Sequence, residues 1–235
     1  MATTWADIVA AALVQIDDVR LEEQMAVSPA QFYRRMSALV NQAMPLLSRP
    51  PELLTYLKNG MVQPNFEDME WVGDEASTTG ETLVETGLTD FDLCSVTQRV
   101  QLANGTISLV PYPDASYDPE TGVVTMPVQQ SEGLAYDFDF YTDGSFDTLS
   151  RTQMRLFALA VAVVWDERFS RTWLAMTPKI HDESFETVNE ANYTEKVTKR
   201  LHDNRIAFND ELRAYEQLCA YTGAFKNRLT RTELV

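Results

Sequence analysis

The first third of the chain has apolar positions that recur with helical spacing. From residue 5 to residue 16 they fall at i, i+3, i+4, i+7, i+8 and i+11, which places them on one helix face. Thr4 and Asp7 predict the N-terminal cap of this helix. A second helix is predicted to begin at Ser28-Pro29, where Gln31 completes a capping box, and a short helix is predicted over 52–58.

The middle third alternates between apolar and polar positions, which predicts strands. Asn104-Gly105 lies between two alternating runs and predicts a hairpin, with positive φ expected at both turn residues. Residues 134–141 alternate with one apolar and one mostly polar face. Five or six short strands in about 80 residues predict a small antiparallel sandwich or barrel.

The last third returns to helical spacing. A capping box at 150–153 opens a helix that is predicted to run to residue 177, with a broad apolar face that places it centrally in a bundle. After an irregular link over 179–191, a helix of about 30 residues is predicted, with Gly223 as its C-cap. The expected fold class is α+β, an α-helical bundle with an inserted small antiparallel β domain. The predicted boundaries are 1–63 and 150–223 for the bundle, 64–149 for the inserted domain and 224–235 for a C-terminal arm.

Charge follows the same boundaries. The 235 residues include 35 acidic and 19 basic side chains, a formal charge of −16. Residues 64–149 hold seventeen acids and one base, Arg99, so they account for the whole net charge. Such a chain is not expected to wrap DNA, because sequence-independent binding needs many contacts from Lys and Arg to phosphate. No apolar run approaches 18 residues, so no membrane span is predicted, and two cysteines favour a reducing intracellular setting.

No motif of a known catalytic class is present in the sequence. It lacks the glycine-rich phosphate loops, the nucleophile elbow and the paired-histidine zinc motif. His181 and His202 are expected to be solvated surface residues, and Cys94 and Cys219 small buried hydrophobic residues. The sequence therefore predicts no catalytic residue and no cofactor, and the protein is not expected to be an enzyme.

The acidic residues of the middle third are the candidates for cation binding. The candidate ligands are Asp90, Asp92, Asp137, Asp139 and Asp143. If they converged on one sheet edge they could bind Ca²⁺, which prefers several oxygen ligands, although the spacing does not fit an EF-hand. The favoured interpretation is a solvated acidic face, and paired general acid and base groups are the remaining alternative. A cation site here would suit a Ca²⁺-dependent carbohydrate-binding β domain.

Two sets of residues are candidates for subunit interfaces. Trp165, Phe169 and Trp173 follow the broad apolar face of the helix at 150–177, where core packing is the favoured role and an oligomer interface the alternative. The basic C-terminal segment is interpreted equally well as a frayed tail or as an arm that docks on an acidic neighbour. Its candidate contact residues are Lys226, Arg228, Leu229 and Arg231.

The order of these features resembles that of a known protein class. A short helix opening with Trp5-Ala-Asp-Ile-Val is followed by a capped second helix, an acidic β insertion that ends in Phe140-Tyr141-Thr142-Asp143-Gly144, and two long helices. This layout resembles the head-to-tail connector (adaptor, or neck) proteins of tailed bacteriophages. The resemblance covers most of the chain as a layout, and its motifs include no catalytic signature.

The resemblance implies a structural virion protein. It implies a homo-oligomeric ring, of about twelve copies, that lies under the portal protein in the neck of the virion, contacts neighbouring neck or tail proteins, and is made in the host cytoplasm. DNA would pass through the ring during ejection without specific binding, and an acidic lining would repel its phosphates. No membrane contact is implied. The alternative within the virion is another tail or neck component, such as a tail terminator or baseplate protein.

Overall fold

A computed structural model gives the fold of the chain. It describes the backbone of residues 2–16, 19–73, 80–127, 133–176 and 187–232, and the side chains of these residues except 19, 20, 22, 170–176, 187–194 and 223–232. The chain is α+β, as predicted, and it divides into two compact units. The helical unit comprises Met1–Asp18, Ser37–Val62 and Ser145–Val235, and the β unit comprises Val19–Met36 and Gln63–Gly144.

The described secondary structure contains six α-helices, one short 3-10 helix and nine strands. The helices are α1 (Trp5–Ile16), α2 (Val19–Val27), α3 (Pro29–Ala43), α4 (Pro51–Asn59), α5 (Arg151–Met176) and α6 (Thr187–Thr232), with the 3-10 helix at Met44–Leu47. The strands are β1 (Thr3–Thr4), β2 (Asn65–Val72), β3 (Thr82–Glu85), β4 (Asp92–Gln101), β5 (Ile107–Pro111), β6 (Ser116–Asp118), β7 (Val123–Met126), β8 (Ala135–Thr142) and β9 (Ser145–Phe146). Among the described residues, no helix combines the length and the apolar character that crossing a bilayer requires.

Helix α5 lies at the centre of the helical unit. All eight residues from Leu156 to Val163 are buried, so the helix is covered on every side rather than along one stripe. Helices α1 and α6 pack against it, and the Phe146 ring lies edge-on to Phe157 with 5.4 Å between ring centroids. The sequence prediction of a central helix is confirmed.

Local hydrogen bonds fix where two of these helices begin. At the start of α1 the Asp7 amide donates to Thr4 Oγ1 at 3.1 Å, and the Thr4 amide donates to Asp7 Oδ2 at 3.0 Å. At the start of α5 the Gln153 amide donates to Ser150 Oγ at 3.3 Å, and the Ser150 amide donates to Gln153 Oε1 at 2.8 Å. Both pairs satisfy amides that have no partner inside the helix, as the sequence predicted.

A buried ion pair joins three helices of the helical unit. The Asp166 carboxylate of α5 is fully buried and accepts from Arg200 Nε at 2.8 Å and from Asn204 Nδ2 at 2.7 Å, both on α6. Arg200 Nη1 also donates to the carbonyl of Ile16 at 3.2 Å. That carbonyl belongs to the last residue of α1, where helix carbonyls lack internal partners and a positive charge is favoured.

The β insertion leaves and re-enters the helical unit through adjacent backbone segments. Val62 and Ser145 exchange two backbone hydrogen bonds of 2.7 and 3.0 Å. The next residues of the returning chain form β9, which pairs antiparallel with β1 near the start of the chain. These hydrogen bonds hold the two ends of the inserted segment next to each other.

Two antiparallel sheets build the β unit. Their strand orders are β2-β8-β4-β5 and β3-β7-β6. Buried side chains from both sheets form one core, which matches the predicted sandwich. They are Val84, Val96, Val124, Met126, Tyr136, Phe138 and Phe140.

The β4–β5 hairpin forms as predicted, but its turn differs from the prediction. Only Gly105 has positive φ, at 82°, and the loop contains five residues rather than two. The Gly105 amide donates to the Leu102 carbonyl at 2.9 Å, and Asn104 Oδ1 accepts from the Thr106 amide at 3.0 Å. The Asn104 side chain therefore stabilises the loop by a local hydrogen bond and does not need positive φ.

Two helices and one unit boundary differ from the sequence prediction. Helix α2 was not predicted, because its stretch is too polar to show a clear apolar stripe. The last helix contains 46 residues, about 69 Å, and continues through Gly223 to Thr232, so the predicted C-cap is wrong. A single glycine costs a helix only about 1 kcal/mol relative to alanine and does not by itself end it. The compact units also assign Val19–Met36 to the β unit, whereas the sequence boundaries placed these residues with the first helices.

Gly122 is expected to tolerate no side chain. Its φ is 68°, and a Cβ there would lie 2.4 Å from the Leu88 carbonyl oxygen. The variant Gly122→Ala should lose about 2–3 kcal/mol of unfolding free energy in urea titrations. Gly105→Ala is the matched control, because its φ is 82° and its Cβ would meet no atom within 4 Å, so only the conformational cost of about 1 kcal/mol remains. Equal losses in the two variants would contradict the steric explanation.

Arg200 is expected to be essential for the stability of the helical unit. The variant Arg200→Met leaves the buried Asp166 carboxylate without its cation, which should cost about 3–5 kcal/mol in chemical unfolding. Arg205→Met is the control on the same helix. Arg205 pairs with Glu167 at 2.7 Å, but the two side chains are 52% and 30% exposed, and such a pair contributes less than about 1 kcal/mol. A loss below 1 kcal/mol for Arg200→Met would refute this role.

Candidate functional site

The outer face of the larger sheet brings four acidic residues together. Asp68 of β2 lies opposite Asp139 of β8, and Glu70 lies opposite Asp137 in the same pair of strands. Like charges directly opposite each other in antiparallel strands repel. The sheet therefore needs compensating partners on this face.

Two arginines supply that compensation. Arg34 of α3 forms an ion pair with Asp68, and its guanidinium lies 5.4 Å from the centroid of the Phe66 ring. Arg99 of β4 pairs with both members of the Glu70–Asp137 pair. Its Nη1 lies 2.6 Å from Glu70 Oε1, and its Nη2 lies 2.7 Å from Asp137 Oδ1. Hydrogen bonds to these carboxylates raise the pKa of Arg99, so its charge is retained at every working pH.

In the pair formed by Asp68 and Asp139, the pKa of Asp139 is raised. Burial raises the pKa of Asp139, and its hydrogen bond and repulsion with Asp68 act in the same direction. Ser95 Oγ donates to Asp139 Oδ2 at 2.5 Å and opposes that rise, as does the positive charge of Arg34. Burial likewise raises the pKa of the neighbouring Cys94 thiol to about 12, so the thiolate does not form near neutral pH.

These residues line a groove in the β unit. The groove has a volume of about 440 Å³. Helix α3 contributes Gln31 and Arg34 to it, and Ser28 lines it from the junction between α2 and α3. Beside the groove the Tyr33 ring stacks on Tyr141, with 4.8 Å between centroids. None of the described residues that line it is a histidine or a cysteine. Its carboxylates are engaged by arginine, serine or each other, so this arrangement fastens α3 to the sheet.

The structure separates the candidate cation ligands. Asp137 is paired with Arg99, Asp139 with Ser95, and Asp143 accepts a hydrogen bond from Tyr141. Asp90 has a φ of 63° and donates its amide to the Pro119 carbonyl at 3.0 Å, which is a turn function, and Asp92 is exposed at the start of β4. Within the described ranges, no group of three His, Cys, Asp or Glu side chains is placed to bind a metal ion.

Among the candidate interface residues, the structure describes the side chains of Trp165 and Phe169. Trp165 has the favoured core role and not the alternative interface role, because its ring is only 3% exposed and packs inside the chain. Phe169 is half-buried and stacks on Trp165 with 6.2 Å between centroids. The side chains of Trp173, Lys226, Arg228, Leu229 and Arg231 lie outside the described residues. His181 also lies outside them, whereas His202 is exposed, as predicted.

Helix α6 carries exposed apolar residues that the sequence reasoning did not single out. Ala207, Ala214, Leu218 and Tyr221 are all exposed and lie at i, i+7, i+11 and i+14, which places them on one helix face. Leu218 is 54% exposed and Tyr221 is 70% exposed. We call these four residues the α6 stripe. Its seven-residue spacing was present in the sequence, but spacing alone did not distinguish an exposed stripe from a buried one.

Comparison with protein-family models, with curated proteins and with solved structures found no match for this chain.

The proton-binding role of Asp139 predicts a specific pH dependence. Because its folded-state pKa is raised, the folded chain binds protons more tightly than the unfolded chain. The resulting stabilisation is complete below the unfolded-state pKa of about 3.9 and is lost as pH rises through the folded-state value. Asp139→Asn removes this titration, so its unfolding free energy relative to the parent chain should increase between about pH 4 and pH 7. Urea unfolding across that range measures the difference.

Asp118→Asn provides the control of opposite sign. The Thr121 hydroxyl and the Glu120 amide lower the pKa of Asp118, so this carboxylate stabilises the fold above its unfolded-state pKa. The unfolding free energy of Asp118→Asn relative to the parent should therefore decrease as pH rises. Parallel pH profiles for the two variants would contradict both assignments.

Proposed function

We propose that this chain is a structural subunit of a ring-shaped head-to-tail connector of a tailed bacteriophage, located between the portal and the tail, through which DNA passes. Its role in that assembly is non-catalytic. The α6 stripe is the observation that carries the proposal, because a helix with four exposed apolar positions on one face is suited to packing against another subunit.

The length of α6 supports an assembly role. A helix of about 69 Å presents a contact surface along much of its length. Its first half is fastened to α5 by the Asp166–Arg200 ion pair, and the stripe begins one turn beyond Asn204. The stripe is therefore held in a fixed direction within the helical unit, as a closed ring of identical contacts requires.

The distribution of charge also supports a neck location. The helical unit contains 17 acidic and 15 basic residues, a formal charge of −2, whereas the β unit contains 18 acidic and 4 basic residues, a formal charge of −14. A nearly neutral unit can approach copies of itself without strong repulsion. A strongly acidic unit repels DNA phosphates, so DNA could slide past it without being held.

The mass of the purified protein tests this proposal directly. Twelve copies of the 26.6 kDa chain would have a mass of about 319 kDa. Light scattering should detect a ring of this order, either for the chain alone or after it is mixed with the portal protein of the same phage. A chain that remains monomeric in both conditions would refute the proposal, and a six-fold ring would favour a tail component instead.

The α6 stripe is expected to be required for this association. The variant Leu218→Glu places a charge in the stripe, which should lower the assembled fraction at least tenfold while leaving the melting temperature of the monomer within about 2 °C. Val14→Glu is the matched control, because Val14 is 77% exposed on α1 and lies outside the stripe. Equal assembly of Leu218→Glu and the parent chain would show that the stripe is not an interface.

A further inference from the structure

A second groove lies in the helical unit, between the start of α4 and the second half of α6. Pro50, Pro51 and Glu52 form one wall, and Glu216, Cys219 and Ala220 form the other. Its volume is about 570 Å³. We call it the α4–α6 groove. Its prolines, alanine and cysteine are apolar or weakly polar, while Glu52 and Glu216 contribute one carboxylate to each wall.

The segment best suited to this groove is part of the chain itself. Residues 224–235 contain three basic side chains, Lys226, Arg228 and Arg231, and one acidic side chain, Glu233. Leu229 lies between the second and third bases. A basic segment with a central leucine complements a groove whose walls are largely apolar and carry one carboxylate each.

The helix geometry prevents the segment from reaching the groove of its own chain. Helix α6 is continuous from Thr187 to Thr232, so residues 226–231 continue along the axis on which Glu216 and Ala220 lie. They are carried about 9–16 Å beyond Ala220 at 1.5 Å per residue. A continuous helix cannot fold back on itself, so the groove is available only to the segment of another copy.

We propose that the α4–α6 groove binds residues 226–231 of a second copy of this chain. Each copy then contributes its basic segment to one neighbour and its groove to the other, which is a head-to-tail contact that closes into a ring if the rotation between copies permits. This inference rests on the proposed connector function and specifies which surfaces of the ring meet. Leu218 lies about 200° around the helix from Glu216, so the α6 stripe and the groove use different faces of α6.

Charge reversal in the full chain tests the contact. The double variant Glu52→Lys/Glu216→Lys and the triple variant Lys226→Glu/Arg228→Glu/Arg231→Glu should each reduce the assembled fraction at least tenfold at low salt. The chain that combines all five substitutions should recover assembly, because attraction across the contact is restored with opposite signs. Glu195→Lys/Lys199→Glu is the control, since both residues are exposed on α6 about 25–32 Å from Glu216.

A crosslinking measurement covers the case in which a reversal variant does not fold. In a Cys94→Ser background, Leu229→Cys places a thiol in the basic segment, opposite the native Cys219 of the groove. A short bis-maleimide that spans less than the ~15 Å between these positions on one helix can join them only between copies. A ladder of covalent multimers is expected, and it should disappear when Cys219→Ala is added. A product that contains only uncrosslinked monomer would overturn the inference.

The outcomes separate this inference from the proposed function. If the parent chain forms a ring but both reversal variants assemble as the parent does, the groove contact is refuted and the ring stands. If the reversals prevent assembly and their combination does not restore it, the specific pairing is refuted. If the parent chain associates neither with itself nor with the portal, the connector function and this contact are both refuted.

Discussion

The buried carboxylate of Asp166 is the constraint on which the helical unit depends. A charge that is fully removed from water is tolerated only with an excellent partner, and Arg200 and Asn204 of α6 provide that partner. Because Arg200 also binds the last carbonyl of α1, at Ile16, one side chain determines how three helices pack. These hydrogen bonds add directional contacts to the apolar packing between the helices.

The β unit shows the same principle on a partly exposed surface. Asp68 and Asp139 face each other across two strands, an arrangement that is unfavourable unless one carboxyl holds a proton or a cation lies beside them. Arg34 of α3 supplies the cation, and burial together with Asp68 raises the pKa of Asp139. The ion pairs in the groove therefore join α3 to the larger sheet. The remaining negative charge of the β unit would repel DNA phosphates in the proposed connector.

The two halves of α6 would have different roles in the proposed ring. Its first half is fixed by the ion pair, and its second half presents the α6 stripe and one wall of the α4–α6 groove. A rigid anchor at one end of a long helix gives the other end a defined direction, which reduces the entropy lost when subunits associate. The proposed ring contact therefore depends on the same buried carboxylate that organises the helical unit.

Sequence patterns alone predicted the α+β class, the strand alternation over 134–141, the caps at Thr4 and Ser150, and the region in which negative charge concentrates. These features depend on periodicity or on hydrogen bonds between residues three or four positions apart, so they are visible in short windows. The same windows missed α2, misplaced the end of the last helix at Gly223 and assigned two positive φ values to the β4–β5 turn. Three features follow from tertiary contacts: the ion pair of Asp166 with Arg200, the cross-strand pair of Asp68 with Asp139, and the exposure of apolar positions on α6. Each of these depends on strand register or helix packing between segments more than thirty residues apart, and no local pattern specifies which distant partner a side chain will contact.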